Sequence, residues 1–267
     1  MSWHGTVLLR WACDVSEALS SYIPHPRTDT FSMAAPASCS DSPATLDQPH
    51  ALPFDPQAIH ENSTIMLNDG YSMPILGLGG GVFSGDVEDA FLSALQSGYR
   101  LIDTAPKYGV SEAALGRAIR RSGVPRSEIF LASKVGNVGA DAAKKSLEAS
   151  LKSLQVSYLD LLLMHSAVNQ QAARDLKSPL HASSRAETWK ALVEARAAGR
   201  VRSIGVCNFS PRHLAKLKPP PAVVQIEHHP LLQQTATLRY CREHGLAVQA
   251  YGSGGGGWRL WKKDASL

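Results

Sequence analysis

The sequence predicts an α/β fold, a barrel of parallel strands that is incomplete after the seventh strand. Three observations lead there. Short apolar runs alternate with segments of helical periodicity from Ile75 to Tyr251. The chain has 267 residues and is 44% hydrophobic, enough for one barrel domain, which commonly runs to ~250 residues. Four ionisable residues, Asp103, Tyr108, Lys134 and His165, stand at or just beyond the carboxyl ends of apolar runs: RLIDTA, the KYG that follows it, IFLASK and YLDLLLMH. In a parallel barrel those ends converge on one face, so residues distant in sequence surround one pocket.

The elements follow in order. Residues 1–58 read as an N-terminal extension and linker, and 59–267 as the barrel domain. From Ala34 to Pro56 the chain is rich in Ala, Pro, Ser and Asp with few large apolar residues, a composition that cannot bury much surface and suits a poorly ordered linker. Ile65 to Pro74, around Asn68, Asp69 and Gly70, reads as a hairpin placed to plug a barrel floor. ILGLGG is the first strand, and Val87, Phe91 and Leu95 lie on one face of the helix after it. RLIDTA is the second, followed by a helix with Leu115 and Ile119 inward and Gly123 at its end. IFLASKV is the third, with Leu147, Leu151 and Leu154 at helical spacing behind it. YLDLLLMH is the fourth, continuously apolar as expected of a strand covered on both faces. Trp189, Leu192 and Val193 mark its helix and Gly199 the stop. RSIGVCNF, AVVQIEHH and LAVQAYGS are the fifth to seventh, and Ser210 and Pro211 open a short helix between the fifth and sixth. After Tyr251 the glycine-rich GSGGGGWRLWKKDASL is too short for another helix and an eighth strand.

Composition excludes several function classes. The net charge of +4 is mildly basic, but Lys and Arg are scattered without a dense run, which disfavours a nucleic-acid partner. Cys13, Cys39, Cys207 and Cys241 have no CxxC spacing and suit a reducing compartment, so the cytosol is expected. No apolar stretch approaches the ~20 residues that span a bilayer. TVLLRWAC near Met1 is interrupted too soon by Asp14 and Glu17 to read as a secretory or transit peptide. His228, His229, Cys241 and His244 have no accepted zinc spacing, and no metal is expected.

The segments LIDTAPKYGVSE, LASKV, LDLLLMH, SIGVCNFS, VVQIEHHP and QAYGS, in this order and spacing, resemble the aldo-keto reductases over residues 62–252. The resemblance implies a (β/α)8 TIM barrel that binds a nicotinamide dinucleotide, usually NADPH with NADH as the alternative, and moves hydride to an aldehyde or ketone. It makes Tyr108 the general acid and Lys134 the cation that stabilises the phenolate. Asp103 becomes the partner of that ammonium, and His165 the group that orients the carbonyl. By the same resemblance Asn208 and Gln225 grip the nicotinamide carboxamide, Tyr251 stacks on its ring, Cys207 replaces a common serine and loses a hydroxyl donor, and Asp103 borders the cofactor side. The Lys-Ser element and Arg that the family places on the last strand are missing after Tyr251. Losing three charged hydrogen bonds at ~1.5 to 3 kcal/mol each weakens cofactor binding roughly a thousandfold or more. The segments TVLLRWACDV and SSYIPHPRT loosely resemble the family's seventh helix and eighth strand, so residues 6–27 are expected in that slot as a permuted end.

Blander readings apply to each residue alone. Asp103 fits a cap or turn, Lys134 a solvated strand end, His165 a structural histidine and Tyr108 plain packing; their joint occurrence at equivalent ends favours chemistry. Gly77, Gly79, Gly80 and Gly81 imitate a dinucleotide fingerprint, but Val82 occupies its sixth position, so they read as close packing at the barrel mouth. Gly81 stands where the family often carries an aromatic, which widens the expected pocket. The absence of a YxxxK pair argues against a short-chain dehydrogenase, and GSGGGG lacks the following helix a sugar-phosphate barrel would need. The rival class is a catalytically impaired relative acting as a binding or regulatory subunit. Substrate identity and oligomeric state are not legible.

Overall fold

The computed structural model describes residues 5–8, 60, 62–81 and 86–254. The chain forms two compact units, residues 1–10 with 61–267, and residues 11–60, of which only His60 is described. The strands are β1 (Gly5–Leu8), the hairpin β2 (Thr64–Met66) and β3 (Ser72–Pro74), then β4 (Leu76–Gly79), β5 (Leu101–Asp103), β6 (Phe130–Val135), β7 (Leu159–Met164), β8 (Val201–Cys207), β9 (Val223–Glu227) and β10 (Ala247–Tyr251). β4 to β10 are parallel neighbours in chain order, and β1 closes the ring between β10 and β4, antiparallel to both. The helices α1 (Val87–Gln96), α2 (Ser111–Ser122), α3 (Ala140–Leu154), α4 (Leu180–Ala197), α5 (Pro211–Leu214) and α6 (Thr235–Glu243) follow β4 to β9 in turn.

Every residue of β6 and β7 is buried, which matches their apolar continuity. Phe91 and Leu95 of α1, Leu115 and Ile119 of α2, Leu147, Leu151 and Leu154 of α3, and Trp189 and Leu192 of α4 join one core with the outward faces of the strands. Asp86 caps α1 by accepting from the amides of Glu88 and Asp89 at 2.9 and 3.1 Å. Gly123 ends α2 in the left-handed region at φ 72°. Gly116 lets α2 approach the end of α3, since a Cβ there would lie 2.5 Å from the Leu154 carbonyl oxygen. The hairpin buries Ile65, Leu67 and Met73 against Leu101, Phe130, Ala222 and Val223 at the amino ends of the strands, where it closes the floor. Among the described residues no helix is long and apolar enough to cross a membrane.

The structure departs from the sequence reading in three places. The eighth position, left open after Tyr251, is filled by Gly5–Leu8; Thr6 to Leu8 of the segment expected there do lie between the first and seventh parallel strands, but as an antiparallel strand and not as the expected helix. Two unpaired strand edges are a strong demand for a partner. That segment is therefore strand where the resemblance expects helix, while residues 9–27 lie outside the described residues. Ser210 is the N-cap of α5, but its hydroxyl makes no capping bond and instead meets Nδ1 of His213 at 3.2 Å. The helix α6, with Thr237 and Cys241 buried, went unread between the sixth and seventh strands.

Candidate active site

The carboxyl ends of the parallel strands bring the expected residues to one mouth. Asp103 is the last residue of β5, Lys134 the penultimate residue of β6, and His165 follows β7 directly. Tyr108 ends a short 3-10 turn, Pro106–Tyr108, whose proline presets the first position. The Tyr108 and His165 rings meet edge to face, centroids 5.9 Å apart at 88°. The Lys134 ammonium lies 5.0 Å from the centre of the Tyr108 ring. It is 1% exposed, ion-paired with Asp103 Oδ1, and also donates to the Thr104 carbonyl at 3.2 Å.

A second group meets this one through the barrel interior. β9 lies opposite β5 in the ring, so Gln225 Nε2 can donate to Asp103 Oδ2 at 2.9 Å. The same nitrogen donates to Gln249 Oε1 at 3.0 Å. Cys207 donates weakly to Gln225 Oε1 at 3.4 Å. Asn208, held at φ 62°, donates its backbone amide to Gln225 O at 2.9 Å, and its Oδ1 accepts from the Tyr251 hydroxyl at 2.8 Å. Asparagine tolerates that left-handed conformation better than most residues. Among the described residues its Nδ2 has only long or soft partners, His165 O at 3.4 Å and Cys207 Sγ at 3.2 Å. All of the expected residues are thus in one cluster. Gln249, a wholly buried amide on β10, was missed; the signal was a polar residue two positions before Tyr251 in an apolar run.

Electrostatics sets the resting protonation. Burial acts to lower the Lys134 pKa, but the Asp103 carboxylate and weaker neighbours outweigh it and hold it above the ordinary lysine value. Burial raises the Tyr108 pKa, and the opposing pull of Lys134 does not cancel it. The net shift is upward, contrary to the acidified phenol that the sequence reading expects, because desolvation cannot be read from spacing. Burial, then the charges of Lys134 and Lys107, push His165 down to about 4, so the ring is neutral at pH 7. Burial takes Cys207 and Tyr251 up to about 12.

Gly81 borders the mouth, where an added Cβ would sit 3.4 Å from Tyr108 Cζ. Gly80 permits the close packing expected of it: a Cβ there would lie 2.8 Å from both Phe91 Cζ and Ser111 Oγ. A cleft of about 860 Å³ lies beside the hairpin, lined by Tyr71, Tyr158 and Arg202 among others. It holds no part of the cluster, and Arg202 there is paired with Asp160 at 2.8 Å. Among the described residues no group of three or more His, Cys, Asp or Glu could hold a metal.

The model of the Aldo/keto reductase family matches residues 76–266. An aldo-keto reductase of Mycolicibacterium vanbaalenii is 41% identical over 195 residues, covering 70% of this chain and 66% of that protein. One from Mycolicibacterium smegmatis is 43% identical over 196 residues, with 70% and 66% covered. The chain spans just under two thirds of the length of these relatives. Among solved structures, the aldo/keto reductase from Brucella melitensis aligns with a TM-score of 0.64 and 36% identity over 72% of this chain and 73% of that one. The Bombyx mori aldo-keto reductase, solved in complex with NADP, aligns with a TM-score of 0.63 and 32% identity over 73% and 67%.

Proposed function

Because the chain belongs to the aldo/keto reductase family, a family of oxidoreductases, we propose that it reduces an aldehyde or ketone to an alcohol with NADPH as hydride donor and Tyr108 as general acid. The observation that carries this reading is the meeting of the Tyr108 and His165 rings over the buried Lys134–Asp103 pair at the mouth of the barrel.

The donor set suits a nicotinamide carboxamide. Both hydrogens of Gln225 Nε2 are spent on Asp103 and Gln249, while Gln225 Oε1 receives only a thiol among the described residues. That oxygen is free to accept from an amide NH2, and the loosely held Asn208 Nδ2 is free to donate to an amide oxygen. Tyr251 supplies an aromatic surface beside them. Bound there, the dinucleotide supplies a hydride to the carbonyl carbon. The phosphorylated form is the choice because the similar Bombyx mori enzyme was solved with NADP.

The residues of the chain manage the proton and the charge. His165, neutral at pH 7, has one N–H with which to orient the carbonyl oxygen and no proton to spare. Tyr108 therefore delivers the proton: its O–H bond breaks as the carbonyl oxygen gains hydrogen, leaving a phenolate. A pKa above the ordinary tyrosine value does not prevent this, since the alkoxide being formed is far more basic than a phenolate. Taking the 5.0 Å ring distance and an effective dielectric of ~20, the Lys134 ammonium stabilises that phenolate by about 3 kcal/mol. The free thiols Cys207 and Cys241 suit a reducing cytosol.

The test is oxidation of NADPH by a generic aromatic aldehyde, with Tyr108→Phe as control. The variant should lose on the order of a hundredfold to ten-thousandfold in kcat while quenching of intrinsic fluorescence by NADPH is retained. A native rate no higher than the variant's would end the reading.

A further inference from the structure

Gln249 has no place in the mechanism above, yet it is 0% exposed and faces the lumen beside the catalytic group. It is the register partner of Gln225 across β10 and β9, so the two amides stand side by side. The orientation of both is dictated by their neighbours. Reversing Gln225 would turn its carbonyl oxygen on the Asp103 carboxylate, and reversing Gln249 would oppose two NH2 groups. One chain of contacts results: Gln249 accepts from Gln225, Gln225 donates to Asp103 Oδ2, and Asp103 Oδ1 holds Lys134. The nitrogen of Gln249 has no partner among the described residues. A buried amide whose nitrogen goes unpaired among the described residues is a poor packing residue; Leu or Met would fill the space at less cost. Its acceptor oxygen is the part in use.

We propose that Gln249 is a positioning residue, which through Gln225 keeps the Asp103 carboxylate set against the Lys134 ammonium. Without its acceptor, the second hydrogen of Gln225 Nε2 has no partner, the amide can turn, and Asp103 loses a fixed donor. The catalytic meaning of the inference rests on the carbonyl-reductase reading; the hydrogen-bond chain itself does not.

Gln249→Met keeps the volume and removes the acceptor. With NADPH and an aromatic aldehyde it should lower kcat about tenfold, the order expected for one weakened hydrogen bond to a charged group, with the aldehyde KM within about twofold. In the nitrogen–proton spectrum, the two Gln225 side-chain protons should be slow to exchange in the native protein, and one should lose that protection in the variant. Gln249→Glu keeps an oxygen at the same reach, and repulsion from Asp103 keeps it protonated. It should recover kcat to within about threefold of native, and it serves as the working variant should the Met form not fold. A Met variant with native kcat and unmoved Gln225 resonances would overturn the proposal, as would a Glu variant as impaired as Met. If the native protein itself shows no turnover, the reductase reading falls, and unmoved Gln225 resonances in either the Met form or, with that form unfolded, an exchange-exposed Gln225 in the Glu form would overturn the hydrogen-bond chain separately.

Discussion

Replacing Asp103 with Asn removes the partner of an ammonium that is 1% exposed. Lys134 then keeps the Thr104 carbonyl at 3.2 Å and at most a neutral amide oxygen where the carboxylate stood. Breaking a buried pair from one side costs about 3 to 5 kcal/mol, because a charge stays buried without its counterpart. For a domain of this size that is a fall in Tm of roughly 6 to 20 °C. The pH dependence is more diagnostic than the size. In the native protein the Lys134 pKa is raised, so the stability it contributes is whole below the unfolded lysine pKa of ~10.4 and is lost as pH rises through the folded value. In the variant burial acts without the carboxylate, the folded pKa drops below the unfolded one, and the unfolded chain binds more protons. Stability of Asp103→Asn therefore rises with pH, and its deficit against the native protein narrows from about pH 7 to about pH 10. Burial of Cys207 and Cys241 destabilises both proteins in alkali, so the quantity to measure is the difference between their urea midpoints at each pH. A deficit under about 1 kcal/mol at neutral pH, or one that grows with pH, would refute a buried, carboxylate-dependent ammonium.

Three further outcomes are expected. The acid limb of kcat/KM should fall near pH 4, not near the ordinary histidine value of 6.5, because His165 is held down to about 4; over the same window stability should decline as pH falls, since the unfolded chain takes up the proton first. A pH titration of rate and of Tm checks both. Cys207→Ser puts a hydroxyl able to donate to the carboxamide oxygen where a weak thiol donor now stands, and fluorescence titration should show NADPH bound about two- to tenfold more tightly, the worth of one ordinary hydrogen bond. Trp189→Ala empties a site in the core of α4, where the ring is 3% exposed and donates to Pro219 O at 3.1 Å; denaturant unfolding should show a loss of about 3 to 5 kcal/mol.

The seven parallel strands were legible because burial on both faces writes itself as apolar continuity, most plainly in β6 and β7. The site was legible for a topological reason. Asp103, Lys134 and His165 terminate consecutive strands, and parallel order turns that into proximity. What was not legible depends on distances that spacing does not contain. That the N-terminal segment fills the gap could be expected, but closure by Gly5–Leu8 as an antiparallel strand rests on backbone pairing with β10 and β4, which the order of the residues does not contain. Gln249 went unread because its partner lies 24 positions earlier, and the two meet only when β9 and β10 align in register. The sign of the Tyr108 shift was misread because a nearby cation can be inferred from motif order, whereas the depth of burial that opposes it cannot.

That sign bears on how such a site would work. A phenol whose pKa had been drawn below neutrality would already be ionised and would have no proton to give. Here burial keeps Tyr108 protonated at rest, while Lys134 waits 5.0 Å from its ring with its own charge secured by Asp103. The ammonium interacts weakly with the neutral phenol and strongly with the phenolate, so its stabilisation grows as the proton leaves. On the proposed reading this is the differential interaction that lowers a barrier, as opposed to one that merely binds the ground state. It requires that Lys134 stay charged and in place in a desolvated lumen. On the two proposals above, the buried amides of Gln225 and Gln249 behind Asp103 serve that requirement.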